Sequence, residues 1–186
     1  MLTHRPNDQR LLASMLARMS SSVGDLSNYL PDWAKTALPM LLDNPEDETR
    51  SATLRCIGEL RDGSRLDRIL QILREDSYYP ARGYAANALG ELGATVAVEP
   101  LIVALSDDES KWVREKAARA LGRLKAPQAL QPLFEAATSD QEDKRVREEA
   151  IEALGELGDK AAIPALIEVV SSPGYQCGDH YCKIRR

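Results

Sequence analysis

Cys56-Ile57-Gly58-Glu59-Leu60 returns as Ala88-Leu89-Gly90-Glu91-Leu92, as Ala120-Leu121-Gly122-Arg123-Leu124 and as Ala153-Leu154-Gly155-Glu156-Leu157. The glycines stand 32, 32 and 33 residues apart. An arginine keeps step eight positions earlier, at Arg50, Arg82, Arg114 and Arg147, and prolines follow downstream at Pro100, Pro132 and Pro164. A fixed period of this size marks a solenoid, in which each unit buries its apolar face against its neighbours. About four such units fit between the first and last copies.

Each period reads as two antiparallel helices. The first is short and apolar, over 97–105, 129–137 and 163–170, with proline in its first turn, where a missing N–H costs nothing. An acidic turn follows, Ser106-Asp107-Asp108-Glu109 or Ser139-Asp140-Gln141-Glu142-Asp143. Such residues are expected to cap the next helix and to favour its N-terminal dipole. The second helix runs from about Trp112 to Leu124, and in the next copy from about Val146 to Leu157. Its residues Val113, Ala117, Leu121 and Leu124 fall on one helical stripe, as do Val146, Ala150, Leu154 and Leu157. The glycine near its end is expected to let the next helix cross closely. The arginine, in its first turn, is expected to bind the acidic turns and form a ladder between adjacent repeats.

Acidic turn, Val-Arg-x-x-Ala, Ala-Leu-Gly-x-Leu and Pro-Leu together resemble the HEAT repeat family, and more narrowly the short HEAT-like repeats of the phycobilisome (bilin) lyase group. The resemblance covers residues 33–171. It implies an all-α, right-handed solenoid of helical hairpins whose second helices line a concave face. For activity it implies adaptors, assembly factors or lyase subunits alike. The first copy departs from the pattern, with Arg61-Asp62 after its Gly-Glu-Leu and Asp67-Arg68 where proline is expected.

Three regions follow: residues 1–45 as an N-terminal helical cap with the first solenoid helix, 46–171 as the repeats, and 172–186 as a C-terminal tail. In the cap, Asp8 to Met19 makes an amphipathic helix with Leu11, Leu12, Met15, Leu16 and Met19 on one side, after an Asn7 cap. A segment with Tyr29, Leu30 and Trp33 leads from it into the repeats. At the other end, Ile184-Arg185-Arg186 matches the start of a further second helix. Either the solenoid continues, or a second copy of the chain or the folded-back tail covers the open edge, making a homo-oligomer one expected arrangement.

Composition narrows the chemistry. The chain has 186 residues, 44% apolar and 28% charged, with a formal charge of −5. Nucleic-acid binders usually carry a basic face, so the acidic balance argues against that class. No apolar run has the length of a membrane span, and the N-terminus carries no secretory pattern, so a cytoplasmic location is expected. Three widely split cysteines make no disulfide framework, and Cys56 reads as a small buried hydrophobe. Only two histidines, His4 and His180, occur, and no nucleophile elbow, phosphate loop or dinucleotide fingerprint is present. Cys177, His180 and Cys182 place three soft ligands within six residues, but a structural zinc site needs a fourth. No catalytic residue, cofactor or metal is expected.

Function is therefore sought where the copies differ. The second helices give columns of outward positions: Ala52, Tyr84, Lys116, Glu149; then Arg55, Asn87, Arg119, Glu152; then Glu59, Glu91, Arg123, Glu156. The candidate partner-binding set is Tyr84, Asn87, Lys116, Arg119 and Arg123, with Trp112 and Tyr79 at the rim, because tyrosine, tryptophan and arginine most often anchor interfaces. Tyr78, Tyr79 and Trp112 read either as an exposed aromatic ridge or as local packing over helix ends. The expected function is a non-enzymatic module binding an acidic or mixed-charge protein segment. The rival classes are a bilin-lyase-like or tetrapyrrole-handling subunit, on resemblance alone, and a nucleic-acid reader like the DNA-alkylation-repeat enzymes.

Overall fold

Apolar periodicity and proline placement together decide where each helix begins and stops. The computed structural model describes residues 32–158 together with residues 163, 164 and 167. The helix expected over 8–19 and the tail with Cys177, His180 and Cys182 lie outside the described residues.

Helix α1 (Asp32–Ala37) gives way to a 3-10 segment (Leu38–Asp43), with Pro39 at the junction. Proline removes an N–H and crowds the carbonyl four residues back, which accounts for the change of pitch there. Seven helices follow: α2 (Asp47–Leu60), α3 (Leu66–Glu75), α4 (Tyr79–Glu91), α5 (Val98–Asp107), α6 (Lys111–Leu124), α7 (Leu130–Thr138) and α8 (Lys144–Leu157). Short 3-10 turns, Thr95–Ala97 and Pro127–Ala129, lead into α5 and α7. The described residues thus form four helical hairpins and contain no strand. Helix α3 forms without the proline of its counterparts. It buries Ile69, Leu70, Ile72 and Leu73 on one face and turns Asp67, Gln71, Arg74 and Glu75 outward.

One core runs from Leu42 and Leu54 through Ile69, Leu89, Leu101, Leu121 and Leu133 to Leu154. Each leucine so buried contributes roughly 1.5–3 kcal/mol. Since every hairpin shares its apolar face with a neighbour, no hairpin holds this core alone. A smaller cluster, Ala34, Leu38, Leu41, Ala52 and Cys56, seats α1 against α2.

The second helices α2, α4, α6 and α8 pack against one another far more closely than the first helices α3, α5 and α7 do. A stack that is tight in one row and open in the other curves toward the tight row. The second helices therefore form the inner, concave side. The recurring glycine accounts for the tight row. A Cβ at Gly90 would stand 2.8 Å from Ala120 Cα, one at Gly122 would stand 2.8 Å from Ala153 Cα, and one at Gly58 would stand 3.1 Å from Ala88 Cα.

Three residues beyond Gly58, Gly90, Gly122 and Gly155 the chain turns left-handed, at Arg61 (φ 53°), Gly93 (φ 67°), Lys125 (φ 50°) and Gly158 (φ 64°). Glycine suits that position. Arg61 and Lys125 accept a conformational cost of roughly 1–2 kcal/mol, partly offset because a cation next to a helix C-terminus opposes the macrodipole.

Candidate functional site

The first turn of each second helix carries the arginine, and the geometry around it repeats. Arg82 Nε and Nη2 donate to the two carboxylate oxygens of Asp108 at 2.7 and 2.9 Å, while Nη1 donates to the carbonyl of Asp76 at 2.9 Å. Arg50 does the same with Asp76 at 2.8 and 2.9 Å and with the Asn44 carbonyl at 2.9 Å. Arg114 pairs with Glu142 at 2.9 and 2.7 Å and with the Asp108 carbonyl at 2.7 Å. The expected ladder between repeats is thus present, each rung a two-pronged, charge-assisted pair. The carboxylate hydrogen bonds come first in raising the pKa of Arg50, Arg82 and Arg114, against the opposing effect of burial. Burial pushes Asp76 upward, but Arg50 and the Tyr78 N–H outweigh it and hold the carboxyl below its ordinary value.

The third rung also explains the single 33-residue step. Helix α7 is one residue shorter than α5 and the turn after it two residues longer, a net gain of one, and the longer arm of Glu142 spans that turn where Asp76 and Asp108 serve elsewhere. The capping expectation needs correction. Among the described residues of the acidic turns, only Asp143 caps its helix directly, accepting from the Arg145 N–H at 3.0 Å. Asp76 and Asp108 accept from the N–H of Tyr78 and Ser110, each at 2.9 Å, so they fix the turn ahead of the helix rather than its first turn.

The candidate residues fall into three groups. Tyr79, Tyr84, Trp112 and Lys116 meet across two repeats. Trp112 stands edge-on to Tyr84 with centroids 5.2 Å apart and edge-on to Tyr79 at 6.2 Å, and Lys116 Nζ lies 5.4 Å over its ring. Tyr78 lies 6.1 Å from Tyr79. The indole rests on bare backbone, since a Cβ at Gly83 would stand 2.0 Å from the Trp112 ring. Trp112, Tyr84 and Tyr78 are half-buried, whereas Tyr79 is 49% exposed. Both readings of the aromatics therefore hold for part of the ridge: Trp112 packs, and Tyr79 faces solvent.

Asn87 and Arg123 form the second group. Asn87 Nδ2 donates to Glu91 Oε1 at 2.9 Å, and Arg123 Nη1 reaches back to the same oxygen at 3.1 Å. Arg119 is the third, clamped by Glu149 through Nε at 2.7 Å and through Nη2, with Glu115 3.7 Å away. The Glu149 hydrogen bond is the main cause that raises the Arg119 pKa. Lys116 Nζ also has a carboxylate, Glu115 Oε1, at 2.8 Å. In the outward columns, Ala52 and Glu149 are buried, a correction that follows from how closely the second helices pack.

A family model for HEAT repeats matches residues 66–145 and again 98–176. The chain belongs to the HEAT-repeat family. Its HEAT hairpins are also similar to a chain of the CpcE–CpcF complex of phycocyanin lyase from Nostoc sp. PCC7120, at 28% identity and a TM-score of 0.65, covering 82% of this chain. The chain spans 64% of the length of that one. Human deoxyhypusine hydroxylase matches at 15% identity and a TM-score of 0.35, over 91% of this chain and 94% of that one. No curated protein matches the chain by sequence.

Sequence reasoning about this HEAT face missed the pairing. Only the packing distance between helices makes Glu149 the partner of Arg119 and Glu91 that of Arg123. It also missed Gly83, whose signal was present: a glycine inside helix α4, outside the repeating set, opposite a tryptophan one repeat later. Cys56 is the small buried hydrophobe expected, and burial pushes its thiol up to about 12.

Proposed function

We propose that the chain is a non-enzymatic interaction module that binds a partner protein on the concave face of its second helices, centred on the aromatic ridge. One observation carries this reading: Tyr79, at the end of a run of rings that joins two repeats, leaves half its surface to solvent beside a rigidly seated Trp112. Pre-seated aromatics bind with little loss of side-chain freedom, which is why they anchor interfaces. The test is affinity capture of partners by wild type and by Tyr79→Ala, chosen because Tyr79 is the least packed ring. Loss of a captured protein with Tyr79→Ala, at unchanged thermal stability, is the expected result. Equal capture by both overturns the assignment.

A second reading is a subunit of a bilin lyase-like assembly. The similarity to a chain of the phycocyanin lyase complex over 82% of this chain supports it. A visible absorbance band on mixing the chain with a bilin, alone or with a co-purifying second subunit, separates this reading from a pure adaptor.

A further inference from the structure

The charges around the ridge are not balanced, and the imbalance has a sign. Every cation beside the rings already has a carboxylate: Arg82 has Asp108, Lys111 has Asp143 at 2.9 Å, and Lys116 has Glu115. Asp47 is likewise taken, by Arg50 at 2.6 Å. Glu48 is exposed and has no hydrogen-bond or ion-pair partner among the described residues. Glu109 is 86% exposed and its contact with Arg82 is a long 3.4 Å, to a guanidinium that Asp108 already holds.

In repeat order these two carboxylates flank the ridge. Glu48 starts α2 in the repeat before it, close enough to the Tyr78 phenol to help raise its pKa, after the larger effect of lost solvation. Glu109 lies in the turn three residues ahead of Trp112. The rings themselves accept cations, since Lys116 already sits over one face of Trp112. An aromatic surface bordered by unneutralised carboxylates attracts ammonium and guanidinium groups and repels acidic segments.

We propose that the ridge receives a cationic segment of the partner protein, a Lys- or Arg-bearing stretch that sets one side chain against Tyr79 and others toward Glu48 and Glu109. This replaces the acidic or mixed-charge segment expected from sequence, which had taken Lys116, Arg119 and Arg123 as available. It rests on the reading of this face as a partner-binding one.

Two labelled synthetic peptides of one length test it, one of Lys, Arg, Gly and Ser and the other of Glu, Gly and Ser. Binding is followed by anisotropy against the full chain. The cationic peptide is expected to bind and the acidic one not. Tyr79→Ala should weaken binding roughly threefold, and Glu48→Lys with Glu109→Lys roughly tenfold. Glu99→Lys with Glu135→Lys makes the same charge change on exposed positions of the first helices and should leave binding within about twofold. Preference for the acidic peptide, equal weakening by the two double variants, or no binding of the cationic peptide overturns the inference. The affinity capture above separates the two levels. If Tyr79→Ala loses its partner while Glu48→Lys with Glu109→Lys keeps it, the interaction face stands and the cationic segment falls. If Tyr79→Ala keeps its partner, the face itself falls.

Discussion

Arg50, Arg82 and Arg114 make one set of contacts three times over, whereas the positions two to nine residues further along the same helices make a different set in each copy. At the first turn the task is the same in every repeat: tie one hairpin's turn to the next. The guanidinium spans a carboxylate on one side and backbone carbonyls on the other, and no other side chain offers donors in that fork. Along the inner row the copies diverge into a ring cluster, a Glu91–Asn87–Arg123 group and an Arg119–Glu149 clamp. Repetition marks what the scaffold requires, and variation marks where a particular surface is built.

The comparison can be broken most directly at the rungs. Truncating Arg82 leaves Asp108, 9% exposed, without its counter-charge and the Asp76 carbonyl without its donor. Arg82→Ala should therefore lose about 3–5 kcal/mol of unfolding free energy in a denaturant titration. A loss near zero would mean that the ladder is decoration on a core that stands without it.

A middle-sized effect is expected at Gly90→Ala. Helix propensity alone favours alanine by roughly 1 kcal/mol, but the new Cβ would meet the Ala120 backbone, which cannot rotate away. Overpacking of this kind costs about 1–3 kcal/mol, so the melting temperature should fall. A rise would show that the second helices can part without penalty.

The smallest effect sharpens the contrast from the other side. Arg123 is 39% exposed and its partner Glu91 25% exposed, so neither charge is stranded in the core when the other is removed. Arg123→Ala should cost about 1 kcal/mol or less, measured in the same titration as Arg82→Ala. If the two variants lose equal stability, the inner row is scaffold too, and the division between repeated and varied positions dissolves.

The HEAT hairpins, the helix limits to within a few residues, the glycine contacts and the Arg ladder were all legible in the chain, because each depends on a spacing that recurs. Periodicity is averaged over copies, so an error at one position is corrected by the others. The candidate site had no such redundancy. Tyr79, Tyr84 and Trp112 could be singled out as unusual, but Trp112 packs because Gly83, a single residue one repeat away, leaves it room. The acidic turns misled for a related reason: a carboxylate beside a helix start can cap that helix or serve an arginine from the preceding repeat, and composition does not distinguish them.

By itself, then, the sequence determined an all-α solenoid of HEAT hairpins with its tight row along the Gly-x-Leu phrase, because burial of a repeating apolar stripe admits few other arrangements. Only the tertiary structure decided which charges are neutralised. Arg119 and Arg123 look like free cations in one dimension, and the close approach of neighbouring second helices gives each a carboxylate. Ion pairing depends on distances of a few ångströms between residues as many as 32 apart in the chain, and no spacing rule within a single helix contains that information.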